Sequence, residues 1–421
     1  MNKTLTNKIL ITLAFLFAYR IFAFVPVPGV NSAVITDFFN QNSNNALGLF
    51  NMFSGGAAER FSIISLGVMP YITASIIMEL LAATFPNIGK MKKERDGMQK
   101  YMQIIRYATI FITLIQSIGV SIGLGGLHSQ SGQGAIMIND MNLFVFLSAI
   151  SMLAGTMLLM WLGEQITQRG VGNGISLIIF AGIVSGIPAA IGGTVDLINT
   201  GEMNFLTAFA ILLIILLTIG AIIFVELGER RVPISYSRKV VMQNQNKRIM
   251  NYIPIKINLS GVIPPIFASA ILMFPATILQ ASTNEYVRKI NDYLNPEGYL
   301  FNLLTFLFVI FFAYFYASIV FNSKDIAENL KKQGGFIPGI RPGEGTSLYL
   351  SEVASRLTLS GSIYLGLVAT LPWVLVKLMG VPFYFGGTSV LIVVQVALDT
   401  MRKIEAQIYM NKYQTLSAVG L

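Results

Sequence analysis

The 421-residue chain has no cysteine, a single histidine (His128) and only 12% charged residues. Without cysteine there can be no disulfide and no thiolate metal site. One histidine in a loop, with no ligand pattern around it, gives no metal or acid–base centre and reads as a solvated side chain. Nucleotide signatures are missing too. In WLGEQITQRGVGNGIS the glycine spacing is not GxGxxG and no strand precedes it, and no Walker lysine follows the glycines of residues 322–356. The chain thus reads as no enzyme, with no cofactor, no metal and no direct nucleotide binding.

The scarcity of charge is matched by apolar residues, 54% of the chain, whereas a soluble domain carries about 25% charged residues. They cluster in ten runs: Ile9–Phe24, Phe61–Phe85, Ile104–Leu127, Leu143–Leu162, Gly174–Val195, Phe205–Leu227, Leu259–Ala281, Tyr299–Phe321, Leu357–Met379 and Tyr384–Met401. Runs of this length cross a bilayer as helices. The expectation is an all-α polytopic membrane protein with ten transmembrane helices. The first run leads into Arg20 and FVPVPGV without a small-residue processing site, so it reads as a retained helix.

Charge sets the orientation. With the amino terminus in the cytoplasm, Arg20, Arg60, Arg288, Lys289 and Lys377 fall outside or at the outer face, leaving 24 of the 29 Lys and Arg inside. That asymmetry follows the positive-inside rule, and ten crossings put both termini in the cytoplasm. The inner loops 228–257 and 322–356 carry seven and five of these cations, enough to attract acidic partners. The first of them alternates apolar and polar residues around QNQN and predicts a β-hairpin, with Lys247 and Arg248 beside its turn and Arg230 and Arg231 at its base. The second begins helically and reaches Arg341, which Pro338, Gly339, Pro342 and Gly343 hold outward for pairing with carboxylate or phosphate.

Residues 46–53 are apolar but too short to span. Ser54, Gly55 and Gly56 allow a sharp turn into the second long run. Such a segment is either a stopper sheltered inside protein or an interfacial helix resting on headgroups. Polar groups at membrane depth, Glu79 and Gln116, either line a path or, for Glu79, snorkel to the interface; a charge at a helix centre costs about 2.5–3.5 kcal/mol. Pro264, Pro265 and Pro275 predict a kinked, loosely held seventh helix. The cation-free loop 196–204 divides the helices five and five, so the second set is inserted in the opposite sense. This gives a first half, 1–195, a hinge loop, 196–204, and a second half, 205–421.

The stretches NMFSGGA, MPYITASII, RGVGNGISLIIFAGIVSG, GVIPPIFAS, FPAT, DIAENLKKQGGFIPGIRPGEGT, RLTLSGS and VPFYFGGTSVLIVV, in this order, resemble the SecY family, the channel subunits of bacterial protein translocons. The resemblance runs from the first helix through the tenth. Two departures, Glu79 in place of a neutral polar residue and the doubled proline at Pro265, bear on gating rather than fold. The resemblance implies two inverted five-helix halves around an hourglass pore in the plasma (inner) membrane. Through it unfolded secretory proteins cross and transmembrane segments leave sideways into lipid. It implies a pore ring of Val68, Ile72, Ile175, Ile179, Ile266 and Ile392, and a plug at 46–56 that includes Leu49, Phe50, Met52, Phe53, Gly55 and Gly56. A lateral gate with Thr73, Ser75, Gln116 and Ser269 is implied between the second, third, seventh and eighth helices. The partners implied are SecE and SecG, the SecA motor or the ribosome at Arg230, Arg231, Lys247, Arg248 and Arg341, and preproteins bearing signal sequences. A ring of bulky apolar groups also makes physical sense, because it sheds water and blocks ions. The alternative from another class is a secondary solute transporter, which needs several mid-helix ionisable residues at the midplane.

Overall fold

The computed structural model describes residues 3–41, 51, 54–124, 134–201, 203–236, 251–280, 298–379 and 387–418. Each of the ten apolar runs carries a helix: α1 (Lys3–Phe22), α3 (Met69–Thr84), α5 (Arg95–Leu124), α6 (Met141–Arg169), α7 (Gly174–Asn199), α8 (Phe205–Leu227), α9 (Ile263–Gln280), α10 (Tyr299–Val320), α12 (Glu344–Met379) and α13 (Gly387–Ala418). Between them lie α2 (Ser32–Gln41), α4 (Pro86–Lys93), α11 (Ser323–Lys332) and the strands β1 (Glu229–Tyr236), β2 (Asn251–Lys256) and β3 (Gly335–Phe336). By length and composition, seven helices among the described residues can each cross a membrane. The α3–α4 pair, bent by 116°, makes eight if counted as one span.

Short polar residues set where helices begin. Asp140, Asn173, Asn204 and Asn322 each accept a backbone N–H from the first turn of α6, α7, α8 and α11. These bonds satisfy donors that a helix start otherwise leaves open.

The second apolar run departs from expectation. Its helix begins only at Met69, and residues 55–68 before it are non-helical, mostly turns, and most of them are buried. Gly67 (φ 56°) and even Phe61 (φ 46°) adopt left-handed backbone. The segment is held inside by backbone hydrogen bonds: Val27 N donates to Phe61 O (2.9 Å), Ile63 N to Val25 O (3.0 Å) and Ser62 N to Ala57 O (3.0 Å). Apolar composition alone could not reveal this, since a helix and a sheltered irregular segment share it. α6 then comes close enough for Gly155 to touch the Ile63 backbone; a methyl there would meet Ile63 C at 2.6 Å.

Two of the three prolines of the seventh run also fall differently. Pro264 and Pro265 sit in the first turn of α9, where a missing N–H has no intrahelical partner to lose, so they start the helix rather than kink it.

The first five long helices and the last five meet along two seams. On one, α9 packs against α3 and α5; on the other, α7 packs against α8 and α13. Side chains from both sets, including α3, α6, α7, α9, α10 and α13, join in one buried apolar cluster between them. α8 contributes little to it and exposes Phe205, Leu206, Leu217 and Phe224, as a lipid-facing helix does.

The expected hairpin is present as β1 and β2, antiparallel with Glu229 opposite Lys256 and Ile234 opposite Asn251. The QNQN turn lies outside the described residues. β3, from the second long loop, adds to β1 and makes a three-stranded sheet of order β2-β1-β3. Val232, Ile255, Leu330, Ile337 and Leu350 form its small core, so the two long loops are one packed unit.

Candidate functional site

Val68 caps the start of α3 and Ile72 lies one turn on; Ile175 and Ile179 lie one turn apart on α7; Ile266 is in the first turn of α9 and Ile392 is on α13. Five of the six are buried and Ile175 is half-buried, and all belong to the single apolar cluster between the helix sets. Branched side chains are stiff in helices. Six of them, from helices on both sides of the seams, present no hydrogen-bonding group to water or to an ion.

The stretch leading to this cluster is gripped from α1 and α7. Gly55 (φ 69°) and Gly56 (φ 79°) turn the chain. A side chain on Gly55 would meet Gly182 Cα at 2.8 Å, so the two backbones touch. Tyr19 OH donates to Ser54 O (3.2 Å) and Arg20 Nη1 to Gly55 O (2.5 Å). Ser54 Oγ donates to Asn51 O and accepts from Ala58 N. Ser54, Gly55, Ala57 and Ala58 are buried in protein. Leu49, Phe50, Met52 and Phe53 lie outside the described residues. Sequence reasoning used Arg20 only to fix orientation, and the 35 positions between it and Gly55 hid this contact.

The polar residues expected at the seam occupy three helices that meet. Thr73 Oγ1 donates to Met69 O (3.0 Å), Ser75 Oγ to Ile72 O (2.8 Å) and Ser269 Oγ to Ile266 O (3.0 Å). Each hydroxyl is satisfied within its own helix, and Gln116 is half-buried on α5. Glu79 pairs with Lys92 of α4 at 3.6 Å across the α3–α4 bend. That pairing engages the carboxylate, as the interfacial alternative allows. Among other carboxylates in the last turns of long helices, Glu164 takes a two-pronged contact from Arg106 at 2.8–3.2 Å, and buried Glu226 accepts from Asn258 Nδ2 at 2.6 Å. Glu226 was missed, although a glutamate one residue from the end of a long apolar run is visible in the sequence.

Arg230 and Arg231 are exposed on β1, with Arg231 held by Glu229 (2.7 Å) and lying over Tyr252. Lys247 and Arg248 lie outside the described residues. Arg341 is exposed on a loop fixed by its backbone: its carbonyl accepts from both Thr346 N and Thr346 Oγ1 at 3.1 Å, and Gly339 (φ 81°) and Gly343 (φ 94°) flank it. Because β3 joins β1, this loop and the arginine-bearing strand share one sheet. Among the described residues no cluster of His, Asp or Glu could hold a metal ion.

Two sets of membrane helices closing on a shared apolar cluster, with non-helical backbone sheltered beside it, define a multi-pass membrane channel fold. The SecY family model matches residues 62–401, and the chain belongs to the SecY family. It is 72% identical to the protein translocase subunit SecY of Helicobacter pylori (strain ATCC 700392 / 26695) over all 421 residues, covering 100% of both chains. Among solved structures it resembles a protein conducting channel (TM-score 0.69, 20% identity, 96% of this chain and 93% of the other). It also resembles Sec61 in a canine ribosome–channel complex (TM-score 0.66, 19% identity, 96% and 93%). At these identities the two structures show the fold.

Proposed function

We propose that the chain is the channel-forming subunit of a protein translocase of the plasma membrane. It conducts unfolded secretory proteins through the apolar cluster and releases transmembrane segments sideways between α3 and α5 on one side and α9 and α10 on the other. The observation that carries this reading is the meeting of Val68, Ile72, Ile179, Ile266 and Ile392 in one buried cluster, drawn from helices on both sides of the seams. A ring of this kind adapts to any passing side chain while excluding ions. Residues 46–56 are its plug, held through Ser54 and Gly55. The halves 1–195 and 205–421 hinge at 196–204, with both termini in the cytoplasm as the cations dictate. SecE and SecG clasp the helices. SecA or a translating ribosome docks on the sheet through Arg230, Arg231, Lys247, Arg248 and Arg341 and supplies the energy, so the chain itself catalyses nothing.

The solute-transporter reading needs membrane-depth charge free to bind a solute. Glu79, Glu164 and Glu226 are instead each engaged by a protein partner. The test is reconstitution of the chain with SecE in vesicles. On adding SecA and ATP, an unfolded secretory protein should become protected from external protease. No protection with active SecA would overturn the proposal.

A further inference from the structure

At the end of α8 a buried carboxylate meets the short linker that joins the sheet to α9. Glu226 is 5% exposed and Asn258 4%. Asn258 uses its whole amide: Nδ2 donates to Glu226 Oε1 (2.6 Å) and Gly261 O (3.2 Å), while Oδ1 accepts from Ser260 Oγ (3.1 Å) and Gly261 N (3.0 Å). Two donors and two lone pairs are all this side chain has. The same residue therefore shapes the turn before α9 and ties that turn to α8. Glutamine could not reach both ends of this arrangement, and aspartate would face the carboxylate with a second one.

Other elements converge on the same point. Ile257 N donates to Gly228 O (3.1 Å), joining the strand ends. Arg402 of α13 donates to Glu226 O (3.3 Å). Gly361 of α12 lies so close that a methyl there would meet Ile257 O at 2.8 Å. Gly261 (φ 68°) leaves room for Gln395 of α13, whose Nε2 would sit 3.0 Å from an added methyl. Backbone bonding at the start of α9 is weak: Pro264 and Pro265 donate no N–H, and the bond from Ile266 N to Val262 O is long at 3.5 Å.

We infer that Glu226 and Asn258 are positioning residues for α9: they form the pivot through which the β1–β2 sheet sets where α9, with Ile266, lies against α3 and α5. The functional half of this inference rests on the reading of α9 as a gate helix; the pivot itself does not. A buried hydrogen bond to a charged group controls an equilibrium by about ten- to a hundredfold. That is enough to govern the closure of a two-state seam.

The test uses the full chain with its partner subunits in nanodiscs. Spin labels go on cysteines introduced at exposed Ile77 of α3 and Ile271 of α9. The natural absence of cysteine keeps the labels specific. Asn258→Asp keeps the turn acceptors but opposes two carboxylates. It should lengthen the label distance and raise ion leak in vesicles at least about tenfold. Adding Glu226→Gln restores a donor across the pair, so the double variant should recover both readouts. Glu226→Ala, which leaves the Asn258 turn intact, should shift the distance as Asn258→Asp does and stands in if that variant fails to fold. Unchanged label distance in a folded Asn258→Asp or Glu226→Ala protein would overturn the pivot, and so would a double variant as displaced as Asn258→Asp. A changed and rescued distance with unchanged leak and translocation would uphold the pivot and refute the gate reading of α9.

Discussion

Replacing Gly155 by alanine tests whether the irregular segment before α3 holds the closed state. The added methyl would press on the carbonyl of Ile63, 2.6 Å from its carbon, and on Ile64 Cγ2 at 3.2 Å. Neither neighbour is the end of a flexible side chain. The Ile63 backbone is held from the other side by its bond to Val25 O at 3.0 Å, so it has little room to retreat. Overpacking of this kind costs about 1–3 kcal/mol. Val68 and Ile72 lie five and nine residues beyond Ile63, and relief of the clash moves them out of the apolar cluster. If the closed state bears that cost and the open state does not, the open population rises about 5- to 150-fold. Gly220→Ala is the control, because nothing lies within 4 Å of a side chain there. Both variants would be reconstituted in vesicles, with ion leak and thermal unfolding measured together. Leak should rise in Gly155→Ala alone, with a lowered melting temperature. Equal leak in the two variants would refute the idea that backbone contact between α6 and residue 63 positions the seal.

Arg341→Glu should leave stability unchanged, since the side chain is exposed, while weakening SecA or ribosome association about tenfold or more. Arg341→Lys keeps the charge but loses the planar fork and should be impaired too; normal translocation by both would remove Arg341 from the docking surface. Ile266→Asn buries an amide among apolar neighbours at a cost of about 1–3 kcal/mol to the closed state. It should increase ion leak and relax the demand for a good signal sequence, and unchanged leak and discrimination would place Ile266 outside the seal.

Much of the fold was legible because bilayer physics leaves few options. All ten apolar runs carry helices, and alternation in 228–257 correctly foretold β1 and β2. What escaped reading was set by contacts distant in sequence. Residues 61–68 have the composition of a helix, yet the backbone bonds to Val25 and Val27 hold them as turns. β3 is two residues long, too short for any period, and exists only because β1 offers Ser235 and Tyr236 as partners. Pro264 and Pro265 suggested a kink because the start of α9 was placed too early, within the apolar run at Leu259. Glu79 read equally as a path or an interfacial residue, and its partner Lys92 reaches it only through the α3–α4 bend. For the candidate site, the family motifs named the ring residues, and the structure gathers them in one cluster. Neither motif nor periodicity pointed to Tyr19 and Arg20 at Ser54 and Gly55, or to Glu226 at Asn258, because those partnerships join residues 32 to 35 positions apart.

The central claim is that translocating chains pass through the cluster where the two helix sets meet. Its most direct test exploits the cysteine-free sequence. Single cysteines are introduced at Ile72, Ile179, Ile266 and Ile392, and at Phe224, which is 80% exposed on α8. Each variant receives a secretory protein carrying one cysteine and stalled midway by a folded domain at its end. On oxidation the stalled chain should form disulfides with the four cluster positions and none with Phe224. Crosslinks at Phe224, or none at the cluster in vesicles that still import, would contradict the claim.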